Sequence, residues 1–269
     1  MKFKINSTLS YHVISPTTFF FNILATNSKN QKVLSENLVL SEGIEYHEYS
    51  FLNEDTRFFK IHVAQEQLFT INYEATVAVN TIEFHQDLLM ELMPIQDLDT
   101  AVLPYLHPSR HCESDKLFYF ASNEFGHYTN NYLKVEAINN WIFDSVAYCP
   151  GSTNSSTSAN DIFFTRIGVC KDFAHLGIAL CRALDIPARY FTAYASNLTP
   201  PDIHACFEAY LGGEWIVFDP TKLSSKNGLV KIAHAKDASE IAVASYFGNA
   251  ICTYMDIQCE MLSAPEPAV

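Results

Sequence analysis

The chain has 269 residues, 48% of them hydrophobic and 17% charged, and a formal charge of −13 at pH 7. That supplies core for two modest domains, and the acidic balance with no basic stripe excludes non-specific nucleic-acid binding. No apolar run is long enough to span a bilayer, the first residues (MKFKINSTLSYHV) lack a leader's apolar segment and cleavage site, and seven cysteines without paired spacing argue against a disulfide framework. A reducing, cytoplasmic setting is the expectation.

Residues 1 to about 100 read as strands, the body of an N-terminal domain over 1–108. FKINSTLSYHVISPTTFFFNILA and TRFFKIHVAQEQLFTINYEATVAVNTIEFH alternate polar with aromatic or β-branched residues. Polar clusters at 27–31, 53–55 and 65–67 mark turns. Short strands with regular turn signals predict an N-terminal antiparallel β-sandwich. Residues 93–109 carry Pro94, Pro104 and Pro108 and read as a crossing segment, since each proline disfavours helix just before it. His107, His111 and Cys112 cluster nearby, but no fourth ligand or paired zinc spacing accompanies them, so no metal is assigned.

The second domain, 109–269, mixes helix and strand, giving an α+β chain overall. Helices are expected over 114–125, which opens with Ser and Asp, and over 132–147, where Leu133, Val135, Ile138, Trp141, Ile142 and Val146 recur at near-helical spacing. Trp141 belongs to that apolar stripe and reads as packing. Residues 150–160, PGSTNSSTSAN, form a polar loop, either a solvated connector or a rim of a cleft. Strands are expected over 189–195, 229–232 and 250–261.

The stretch GVCKDFAHLGIALCRAL at 168–184 is apolar over so much of a helical circumference that a buried helix is expected, with Cys170 where a loop turns into it. The positive end of a helix favours the thiolate form of a cysteine placed there. Cys181 and Cys206 carry no such signal and read as small hydrophobes. His175, five residues on, falls about 140° around the helix from Cys170 and reads as a buried, hydrogen-bonded histidine.

DIHACFEAYLGGEWIVFDPT at 202–221 reads as a β-hairpin turning at Gly212 and Gly213. With Leu211 facing Glu214, Cys206 falls opposite Asp219, and His204 lies two residues away on the same face. Ala205, Phe207, Ala209, Leu211, Ile216 and Phe218 form the opposite, core-facing set. Glu208 shares the His204 face, with a structural or a substrate contact both open. A thiol, an imidazole and a carboxylate so arranged follow the logic of nucleophilic acyl transfer, in the order Cys170, His204, Asp219.

GVCKDFAHL, DIHACFEAY and WIVFDPT resemble the transglutaminase-like superfamily, a branch of the papain-like cysteine acyltransferases and peptidases. LPYLHPSRHCESD and KIAHAKDASEIA are similar to bacterial members that carry an extra N-terminal β-domain. The resemblance implies a papain-like, transglutaminase-core domain over 109–269, with Cys170 as nucleophile, His204 as base and Asp219 as orienting acid. Many relatives carry Trp where this chain has Cys206. By the same analogy the Cys170 backbone N–H serves the oxyanion hole. The expected activity is acyl transfer on a peptide or protein substrate, most simply hydrolysis, with no cofactor, nucleic acid or membrane involved. The alternatives are amine transfer and a catalytically silent binding module.

Overall fold

The computed structural model describes residues 1–50, 55–80 and 94–263. Part of the turn expected at 53–55, the end of the strand-like run at 81–85, and Met93 lie outside the described residues. No described helix is long and apolar enough to cross a membrane.

Strand β1 (Lys2–Phe21) organises the N-terminal sheet. Its odd positions from Phe3 to Val13, and again Thr17, Phe19 and Phe21, are buried, as period-2 alternation requires. β2 (Gln31–Leu40), β3 (Tyr46–Ser50), β4 (Arg57–Val63) and β5 (Gln67–Val79) follow. β5 pairs with Lys2–Val13 and β4 with Thr17–Phe21, both antiparallel, while β2 pairs β5 and β3 pairs β4.

β1 does not run straight. The Tyr11 ring lies 5.3 Å from that of Phe19 and 5.5 Å from that of Phe21. Residues eight apart on a straight strand would sit about 27 Å from each other. The register against its partner shifts between Val13 and Ser15 and again between Ser15 and Thr18, which places the crease at Ser15–Thr18. One sheet thus folds over into two layers around an aromatic core. The expected sandwich is a single creased sheet. Across the crease, Gly248 has φ +142, and a Cβ there would meet Thr17 Oγ1 at 2.2 Å, so only glycine fits.

The last strand, β12 (Ala244–Ser263), pairs antiparallel with β1 from Lys2 to Phe21. The expectation that everything after residue 108 belongs to the second domain is corrected here. The core is spliced between β5 and β12, and the final strand closes the first sheet.

The core itself comprises α1 (Ser114–Phe125), α2 (Asn131–Ser145), the short strand β6 (Ala147–Tyr148), α3 (Ala159–Thr165), the short strand β7 (Ile167–Gly168), α4 (Cys170–Arg182), and β8 (Ala188–Ala195), β9 (Ile203–Leu211), β10 (Glu214–Phe218) and β11 (Leu229–Ala235). The four long strands form an antiparallel sheet in the order β10-β9-β8-β11. α4 packs on it closely enough that a Cβ at Gly177 would meet Phe207 Cε1 at 2.5 Å. Ser158, whose hydroxyl accepts the Asp161 N–H, caps α3, a helix that the polarity of 150–160 conceals.

The two domains are joined by buried hydrogen bonds. Tyr194 donates its hydroxyl to Ile23 O at 2.6 Å. The Gln31 amide spans the boundary: Nε2 donates to Thr26 O and Lys231 O, both at 2.8 Å, and Oε1 accepts from Lys231 N at 2.7 Å. Gln31→Ala orphans buried backbone groups on both sides, at a cost of about 3 kcal/mol. Urea unfolding at equilibrium is the check, with the midpoint falling and no gain in stability for any truncation at this position.

Candidate active site

The helix bearing the first site residue starts abruptly. Val169 is extended at φ −118 and Cys170 is the first helical residue, so the sulfur sits at the positive end of α4, part-exposed. Asp172, 1% exposed, holds that end in place. Its Oδ2 accepts the Val169 N–H at 2.9 Å and the Thr153 hydroxyl at 2.5 Å, and its Oδ1 takes the Lys171 ammonium at 2.5 Å. Thr153 comes from the polar loop at 150–160, so one part of that loop buttresses the start of α4. Gly168 is required just before it, since a Cβ would lie 2.9 Å from Asp172 Cβ.

The hairpin forms in the expected register. Leu211 pairs with Glu214, and the ladder continues to Phe207 and Phe218. Gly212 and Gly213 at φ 56 and 85 make the turn, a combination that suits the twist of paired strands. One residue beyond the ladder, Asp219 Oδ2 is 2.9 Å from His204 Nε2, with both side chains nearly sealed from solvent. Asp219 is anchored in turn: Oδ1 accepts the Thr221 N–H at 3.0 Å and its hydroxyl at 2.6 Å, and Oδ2 also accepts the Ser224 N–H at 3.0 Å.

A carboxylate only accepts, so His204 Nε2 carries the proton and Nδ1 is the nitrogen left to exchange one with a thiol. Burial on its own would lower the His204 pKa, but hydrogen bonds to Asp219, Cys170 and Cys206 raise it well above 6.5. Burial pushes the Asp219 carboxyl up, and the hydrogen bonds from His204, Thr221 and Ser224 overcome that and hold it below 3.8. His204 and Asp219 thus form a hydrogen-bonded pair, with Cys170 near enough to the imidazole to raise its pKa.

Cys206 also touches the imidazole. It is fully buried, and burial pushes its thiol up to about 12 despite the opposing pull of His204. That leaves it protonated and inert, in the position where many relatives carry Trp. His204, Cys206 and Asp219 offer donor atoms within 4.8 Å of one another, but two of the three are committed to their mutual hydrogen bond.

His175 is 1% exposed and accepts the Ala238 N–H at Nε2, 3.1 Å away, on the far side of the helix from the thiol. Burial drives it down to about 3, so it stays neutral. Glu208 pairs with Arg189 at 2.5 Å. Trp141 packs against Phe120 with ring centroids 4.9 Å apart and under the Arg166 guanidinium.

Tyr148 is the site residue that sequence spacing does not reveal. β6 and β7 pair in parallel, with Tyr148 opposite Gly168 and the Cys149 N–H bonded to Gly168 O at 2.9 Å. This pairing brings Tyr148 close enough to Cys170 and His204 for both to act on its hydroxyl. A two-residue strand has no periodicity to read, and the pairing spans about twenty residues of chain.

Two family models match: transglutaminase-like superfamily over residues 120–220, and bacterial transglutaminase, N-terminal domain, over residues 1–101. A solved structure of a candidate cysteine protease from Cytophaga hutchinsonii superposes with a TM-score of 0.94 at 51% identity, covering 99% of this chain and 92% of that one. Protein ML0607 of Mycobacterium leprae is 27% identical over 137 residues, 47% of this chain and 49% of that protein. Protein Rv2569c of Mycobacterium tuberculosis is 42% identical over 60 residues, 22% of this chain and 19% of the relative. The chain thus spans half or less of these mycobacterial proteins. By fold, matched segments and overall similarity, the chain belongs to the transglutaminase-like superfamily, with a bacterial transglutaminase N-terminal domain.

Proposed function

We propose that the protein is a cysteine-nucleophile acyltransferase acting on a peptide or amide bond, with hydrolysis as the completing step. The observation that carries this reading is the His204–Asp219 hydrogen bond of 2.9 Å next to a cysteine at the leading end of α4. The thiolate of Cys170 attacks the carbonyl carbon, and the carbonyl π electrons move to oxygen. The oxyanion faces the Cys170 N–H, with the Tyr148 hydroxyl as second donor. The imidazolium of His204 passes its proton to the leaving nitrogen, the C–N bond breaks, and an acyl-enzyme forms. Water, deprotonated by the now neutral His204, attacks the thioester and releases the acid and the thiol.

Mass analysis of products from a peptide library, with Cys170→Ala as control, tests the completing step. New termini carrying the elements of water support hydrolysis. Products carrying an added amine in place of ammonia reassign the enzyme to amine transfer. No turnover by the wild-type chain overturns both.

The thiol itself gives a direct assay. At about pH 6, iodoacetamide labels Cys170 at least tenfold faster than the exposed Cys149, and His204→Ala removes that advantage because the paired imidazolium is gone. Equal rates at the two cysteines would contradict an activated nucleophile. Peptide mapping by mass spectrometry reads both sites in one sample.

Tyr148→Phe keeps the ring and deletes the donor. It lowers kcat by about 10²-fold with little change in KM, the signature of a contact made in the transition state.

The His204–Asp219 pair also sets a pH dependence. His204 is raised, so its contribution is complete below 6.5 and is lost as pH rises through its elevated value; Asp219 is lowered, so its contribution holds above 3.8 and is lost as pH falls through its depressed value. The stability difference between wild type and Asp219→Asn is therefore level from about pH 5 to 6.5 and shrinks on acidification below about pH 4. Urea midpoints across that range measure it.

A further inference from the structure

On the face of the core sheet opposite α4 lies a cavity of about 430 Å³, lined by residues of both domains. Its size is that of a small-molecule site, and boundaries between domains are where such sites concentrate. Phe191, Trp215 and Leu229 give it apolar walls.

Its charges are unevenly matched. Arg189 donates to Glu208, and its guanidinium lies 3.9 Å from the Trp215 ring centroid. Lys29 and Glu214 pair with each other in solvent. Lys231 lines the cavity as well, with its ammonium 5.6 Å from the Phe191 centroid. Among the described residues no carboxylate lies within 4.0 Å of that ammonium. Glu208, already bonded to Arg189, and the exposed Asp55, both in the lining, attract it from beyond that distance. Apart from the exposed Lys29, Asp55 and Glu214, the lining holds two cationic side chains, Arg189 and Lys231, against one carboxylate, Glu208. Burial depresses the Lys231 pKa against the pull of Glu208 and Asp55.

Two features fix where Lys231 points. The register between β11 and β8 shifts between Lys231 and Ala233, and such a bulge re-aims a side chain. The Gln31 amide then locks both backbone groups of Lys231 to the N-terminal domain. A cation held on a rigid backbone, facing an apolar hollow, is the complement of an anion with an apolar body.

We propose that this cavity binds a small monocarboxylate, its carboxylate on Lys231 and its apolar body against Phe191, Leu229 and Trp215. The assignment stands apart from the acyl-transfer reading, since none of these residues belongs to the catalytic set.

Calorimetric titration of the full chain with phenylacetate, its uncharged analogue phenylacetamide, and phenyl phosphate tests it. Phenylacetate binds one per chain, at least tenfold tighter than the amide. Lys231→Met keeps the length and apolar stem of the side chain and removes that preference. Lys231→Gln gives the same loss of preference and serves if the Met variant does not fold. Leu229→Trp fills the hollow and weakens both ligands alike. Any of three results overturns the proposal: no phenylacetate binding at about 1 mM, equal affinity for acid and amide, or a preference that survives both Lys231 variants. Tighter binding of phenyl phosphate than of phenylacetate overturns the carboxylate assignment.

Discussion

The contact on which this site turns is the bond between His204 Nε2 and Asp219 Oδ2, and that bond is a consequence of strand register. The two residues come from different strands, fifteen positions apart. A slip of one residue would send one of them to the opposite face of the sheet. Register is held remotely from the chemistry. At one end the two positive-φ glycines leave little choice of turn. Along the ladder, Phe207, Ala209 and Ile216 are fully buried on the face that meets α4, so a slipped hairpin would expose them. Core packing and turn geometry thus specify the His204–Asp219 distance, which neither touches.

The site was legible to the extent that it rests on short periods. Alternation along 203–211 placed His204 and Cys206 together and Phe207 against the core. The shift from turn to apolar helix placed Cys170 at a helix start. Tyr148 was not legible, because its place depends on the parallel pairing of two-residue strands. In the fold, the period-2 signal of β1 is strong on both sides of residues 15–18, but a crease has no periodic signature. Pairing of β1 with β12 joins residues more than 200 apart, and only the packed structure brings them together. α3 was hidden for another reason. Its capping residues, Ser158 and Asp161, are present in the sequence, but they end a run of polar residues whose composition resembles a loop.

The two family-like blocks away from Cys170, His204 and Asp219 find their meaning in contact with each other. Asp237, from KIAHAKDASEIA, accepts the backbone N–H of His111, from LPYLHPSRHCESD, at 2.9 Å. Its other oxygen accepts both the N–H and the hydroxyl of Ser239. Burial would raise this carboxyl, and the hydrogen bonds pull it well below the usual range. Arg182, at the end of α4, donates to His107 O, Ser109 Oγ, Ala188 O and Lys236 O. A buried cation and a buried anion, each met by backbone groups and hydroxyls, latch the segment at 107–111 to the end of α4 and to the stretch after β11. Removing either would leave carbonyls or N–H groups unmet in a low-dielectric interior, where such groups are costly.

This arrangement also explains why the core is held so firmly against the N-terminal sheet. The chain leaves that sheet after β5 and re-enters it through β12, so the core is tethered at both ends. Gln31 and Tyr194 add bonds between those tethers. The interface cavity and the His204–Asp219 pair then draw on one element, β9. Glu208 and His204 are four residues apart on it, an even separation that puts both on one face, roughly 13 Å apart at the rise of a strand. The register that buries Phe207 and Ala209 against α4 therefore sets the place of both side chains at once.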